Sequence, residues 1–102
     1  MTIDDQSKHF ERMVEQMRST MFKKGNDYSN DDRLSNFKLG GAIIGLTPEQ
    51  HCLALISTKV ARLGSLLSGG KKPNNESISD SCLDLANYTL LLDMIISDKA
   101  NG

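Results

Sequence analysis

The sequence predicts an all-α fold, a small bundle of three long helices plus one short or broken helix. Two observations predict it. Apolar residues recur at spacings of three and four through three long stretches. Helix-start and helix-stop residues bracket those stretches, and the link between the last two is short and polar. At 102 residues the chain is one domain, 1–102, with a modest core.

Residues 3 to 24 read as the first helix. Phe10, Met13, Val14, Met17 and Met21 recur at helical spacing. Asp4 and Asp5 suit the first turn, Lys23 and Lys24 the last, and Gly25 is a natural stop. Glu11 and Glu15 read as a solvated face pairing with Lys8, Arg12 and Arg18. The segment GNDYSNDDR, 25 to 33, is a polar loop. Its single aromatic, Tyr28, either covers a ligand or pins the loop to the core. In LSNFKLGGAIIG, 34 to 45, Leu34, Phe37 and Ile44 share a face. Gly40 and Gly41 weaken a helix there by about 1 kcal/mol each, or allow a close backbone approach.

The next helix starts sharply. Thr47-Pro48-Glu49-Gln50 is a capping box with proline at the first helical position. Leu53, Ile56, Val60, Leu63 and Leu67 follow as an a/d seam, flanked by Lys59 and Arg62. The linker GGKKPNN returns the chain antiparallel into Glu76–Ile96. That last helix is apolar on more than one side, so something must cover it on more than one side. Leu90, Leu91, Met94, Ile95 and Ile96 exceed what one small bundle covers, which predicts a homo-oligomer, most simply a two-fold dimer.

Net charge is −1, which argues against a protein that coats nucleic acid. There is no apolar run of membrane length and no visible leader, so the expected location is the cytoplasm. Cys52 and Cys82 fall within apolar helical patterns and read as buried free thiols.

The polar residues suggest chemistry. Glu76, Asp80 and Asp84 are spaced i, i+4, i+8 and share a helix face that Asn87 continues. Their mutual repulsion calls for an offset: basic side chains, a metal ion or the helix N-terminus. Antiparallel packing of the last two helices brings Lys59 and Arg62 toward Asp84. Lys24, Asp27, Tyr28, Asn36, Lys59, Arg62, Asn87 and Tyr88 then form a candidate nucleotide site. Lysine and arginine would hold phosphate and tyrosine would stack on a base. The three acids would take Mg²⁺ if the site is metal-dependent. The bland alternative is a set of interhelical ion pairs that fix register.

The segments KGNDYS (24–29), SNF (35–37), KVAR (59–62) and NESISDSCLDLANYTLLL (75–92) resemble a phage and prophage helical family, nucleotide modification associated domain one. More distantly the chain looks like the all-α MazG-type nucleotide pyrophosphatases. In those, carboxylates from two facing helices, ExxE and ExxD, hold Mg²⁺ against a triphosphate. The resemblance implies a nucleotide ligand and, for a phage protein, the host cytoplasm. The chain departs from the hydrolase pattern in the earlier helix, where ALISTKVARL carries Lys59 and Arg62 in place of metal ligands. Mg²⁺-assisted hydrolysis needs a clustered negative site. The preferred reading is therefore a protein that binds a phosphorylated nucleotide without turning it over. The family context suggests one concrete role, capture of a host-defence signal such as a cyclic nucleotide or an ADP-ribose derivative. Two alternatives stay open: a Mg²⁺-dependent nucleotide pyrophosphohydrolase, and a helical interaction module with no small ligand.

Overall fold

The computed structural model describes residues 1–26, 32–69 and 75–101, with the side chains of 23–26, 75 and 76 outside that description. The fold is all-α. Four helices follow in order: α1 (Ile3–Asn26), α2 (Ser35–Ile43), α3 (Pro48–Ser68) and α4 (Asn75–Asn101). Among the described residues no helix is long and apolar enough to cross a membrane.

Helix α3 begins where the capping box requires. Gln50 N–H donates to Thr47 Oγ1 at 3.2 Å, and Thr47 N–H donates to Gln50 Oε1 at 2.9 Å. Helix α2 survives its two glycines because they are in close contact. A Cβ on Gly41 would lie 2.7 Å from the Leu46 carbonyl oxygen, and one on Gly40 would lie 3.1 Å from the His51 ring. The Leu46 N–H donates to the Gly41 carbonyl at 2.8 Å, and Gly45 takes a φ of 75°. The chain thus turns from α2 into α3 within a few residues, and only glycine fits the inside of that turn.

The core lies where α2, α3 and α4 meet. Leu34, Phe37, Cys52 and Ile95 are buried there, with Leu55, Ile56, Tyr88, Leu91 and Leu92 packed around them. The Cys52 thiol donates to the Tyr88 carbonyl at 3.4 Å, and burial pushes its pKa up. Two sequence expectations fail. Cys82 is exposed, not buried. The expected seam on α3 is also displaced: Leu53, Val60 and Leu67 are exposed, while Cys52, Ile56, Lys59, Leu63 and Leu66 are buried or half-buried. A lysine holds a seam position because its stem packs on apolar surface while its ammonium finds a carboxylate.

Exposed ion pairs tie the end of α4 to the rest. Lys38 Nζ lies 2.6 Å from Asp32 and 3.3 Å from Asp98, and Lys99 Nζ lies 3.0 Å from Glu49. The hydrogen bond from Lys38 lowers the Asp32 pKa, and the bond to Asp32 raises that of Lys38. Glu49 is lowered first by its own backbone N–H, at the N-terminus of α3, and then by Lys99. Helix α1 stands apart: among the described residues it packs on α4 alone, and residues 1–12 are exposed throughout.

Candidate functional site

A cleft of about 410 Å³ lies between the second half of α1 and the α2–α3–α4 core. Its floor and walls are mostly apolar, from Phe22 on α1 through Phe37 on α2 to Leu91 and Met94 on α4. Arg33, Asn36, His51, Asp84, Asn87 and Tyr88 bring polar groups to it.

Asn87 is the most informative of these. Only 6% of it is exposed. Its Nδ2 donates to the Met17 carbonyl at 3.3 Å, which anchors α1 to α4. Its Oδ1 is buried with no protein partner among the described residues. His51 is similar: the ring meets Phe37 edge-to-face, with centroids 6.2 Å apart at 74°, and its Nδ1 is buried without a partner. A buried polar atom left unpaired costs about 1–3 kcal/mol. Both residues line the cleft wall, so each unpaired atom lies beside it and marks where a polar partner would be accommodated.

Asp84 enters the cleft already paired. Lys59 Nζ lies 2.9 Å from its carboxylate, with both side chains about 30% exposed (27% and 32%). That pair is one offset for the acidic stripe of α4. Asp80 does not share the cleft. It opens on a separate shallow depression between α1 and α4, beside Gln16, Ser19 and Thr20. Among the described residues no three His, Cys, Asp or Glu side chains converge as a metal site would need.

Of the residues singled out from sequence, the cleft gathers Asn36, Asp84, Asn87 and Tyr88, with Lys59 one contact behind. Arg62 is exposed, has no partner among the described residues and is not part of the cleft wall. Asp27 and Tyr28 lie outside the described residues, as do the side chains of Lys24 and Glu76. Sequence reasoning passed over Arg33 and His51. Each had a signal: Arg33 precedes the core anchor Leu34, and His51 sits one turn before Leu55 and beside Cys52. The chain was compared with protein families, curated proteins and solved structures, and none matches it.

Proposed function

We propose that the cleft binds one phosphorylated nucleotide, without turning it over. The observation that carries the reading is the buried, unpartnered Oδ1 of Asn87 in a mostly apolar cleft of ligand size; such sites commonly span about 300–1,000 Å³. With Nδ2 held by Met17, Asn87 offers an acceptor and requires a donor from its guest. The amino or imide edge of a nucleobase supplies one. Tyr88 and Phe37 give the cleft wall aromatic surface suited to a planar ring. Arg33 at the wall, without an ion-pair partner among the described residues, suits a phosphate. These features support a planar, hydrogen-bonding, anionic ligand, and the sequence resemblance narrows that class to nucleotides. Absence of turnover is supported by the Lys59–Asp84 pair, which neutralises the one carboxylate at the cleft among the described residues.

The test is thermal shift against a panel of mononucleotides, cyclic nucleotides and ADP-ribose derivatives, with and without Mg²⁺, followed by product analysis. Stabilisation by a ligand recovered intact after heat denaturation is the expected result. No shift from any nucleotide would overturn the binding reading. A monophosphate and pyrophosphate among the products would overturn the claim of no turnover.

A further inference from the structure

We infer that a second copy of this chain packs against the overhanging half of α1, in an antiparallel pairing of the two α1 helices that extends onto α4. Three observations carry it.

First, the fold is too open for a monomer of its size. It exposes 7554 Å². A compact 11.2 kDa monomer exposes roughly 5,700 Å², so the excess is about 1,900 Å² per chain. Its radius of gyration is 15.8 Å, against about 13 Å for a compact chain of this length. Obligate two-chain interfaces bury about 2,000–5,000 Å² in total, half on each side. The excess falls inside that range.

Second, exposed apolar side chains lie on all four helices, and α1 is the helix with the least tertiary cover among the described residues. Helix α1 is the most sharply amphipathic of the four, yet among the described residues it packs only on α4. Phe10 is 63% exposed, on the same face as Met13 and Met17. Residues 3–12 form a helical arm with no tertiary cover. In the single chain this arm leaves Ile3 and Phe10 in water, apolar area that a partner would bury. Leu90 and Met94 of α4 and Phe22 of α1 are also exposed, with Phe22 and Met94 at the cleft.

Third, the charge along α1 favours its own copy reversed. Asp4 and Asp5 fall in the first turn. Arg18, Lys23 and Lys24 fall, by sequence, in the second half. An antiparallel pair sets acid against base at both ends, whereas a parallel pair sets like against like. The same reversal, centred between Met13 and Val14, places Phe10 opposite Met17.

The test is light scattering of the full chain at micromolar concentration, beside Phe10→Glu and, as a control on the exposed α3 ridge, Leu67→Glu. The expected result is a dimer for the wild type and for Leu67→Glu, with at least about tenfold weaker association for Phe10→Glu. Hydrogen exchange of the wild type guards against a variant that merely misfolds. Amides of residues 3–12 should gain protection as protein concentration rises. A wild-type monomer would overturn the inference, as would a dimer dissolved by Leu67→Glu and untouched by Phe10→Glu. Concentration-independent exchange across the arm would overturn it too.

Discussion

Lys59 Nζ sits 2.9 Å from the Asp84 carboxylate, and the two side chains are about 30% exposed (27% and 32%). This contact crosses the antiparallel α3–α4 interface at the edge of the cleft. It lies between two regimes: exposed pairs contribute about 0.2–1 kcal/mol, while breaking a fully buried pair costs about 3–5 kcal/mol. Lys59→Met or Asp84→Asn alone should therefore destabilise by about 1–2 kcal/mol. A double-mutant cycle from urea unfolding should show coupling of about 1 kcal/mol. If Lys59 serves phosphate and not Asp84, Lys59→Met would leave stability within about 0.5 kcal/mol and change ligand response alone.

Asn87 gives a sharper contrast between stability and binding. Replacing it with leucine removes the unpaired Oδ1, and the Met17 carbonyl it releases lies within helix α1. Asn87→Leu should hold or raise stability in the absence of ligand, by up to about 1 kcal/mol, or roughly 4–8 °C in Tm for a domain of this size. It should also abolish the thermal shift given by any nucleotide. A variant that loses stability while keeping the ligand shift would assign Asn87 to the fold and not to the cleft.

Gly41 tests the turn into α3. A Cβ there would meet backbone oxygens of Leu46 and Thr47 at 2.7 and 3.1 Å, and backbone yields less than a side-chain tip. Gly41→Ala should cost about 1–3 kcal/mol, the range for overpacking. Gly64 sits in α3 with open space around its Cβ position. Gly64→Ala in a helix interior should stabilise by roughly 0.5–1 kcal/mol. Denaturant midpoints of the two variants should move in opposite directions.

These glycines show where sequence was legible. Helix periodicity and the capping box at Thr47 are local, so the helical elements could be read from the chain. The exchange of Val60 for Lys59 on the α3 seam could not, because Lys59 is held half-buried by a carboxylate 25 positions later. An a/d seam shows in sequence as apolar periodicity, and a lysine paired across the interface breaks that pattern. Asn87 is legible because it continues the Glu76–Asp80–Asp84 face, and Asn36 and Tyr88 fall in the segments that carry the resemblance. His51 is not legible, because its cavity exists only once α2 folds back over Gly40.

The exposed pairs at the end of α4 set a pH dependence. Asp32 and Glu49 have lowered pKa values, so their contribution is present above the ordinary carboxylate values of 3.8 and 4.5 and is lost as pH falls through the lower folded values. Lys38 is raised, so its contribution is full below 10.5 and fades as pH rises through the higher folded value. Stability from these ties should be level between the two limits and fall on the acid side below about pH 4. Asp32→Asn should flatten that acid slope. NMR titration placing the Asp32 carboxyl at or above 3.8 would contradict the assignment.

Arg33 and Arg62 offer the last discrimination. Sequence pointed to Arg62 because it follows Lys59 by three residues on α3. In the fold it is exposed and off the cleft wall, whereas Arg33 lines that wall. Both side chains are without an ion-pair partner among the described residues, so truncation of either should leave unfolding within about 0.5 kcal/mol of wild type. Their ligand responses should differ. An arginine–phosphate contact is charge-assisted, with hydrogen bonds contributing about 1.5–3 kcal/mol. Arg33→Ala should therefore weaken nucleotide binding by about tenfold or more, and Arg33→Lys should restore only part of it, since a point charge cannot reproduce the planar fork. Arg62→Ala should leave affinity unchanged within about twofold. Calorimetric titration of the four proteins with one stabilising nucleotide decides it: equal losses from both alanine variants would place the phosphate between α3 and the cleft, and a loss from Arg62→Ala alone would move it off the wall that Arg33 forms.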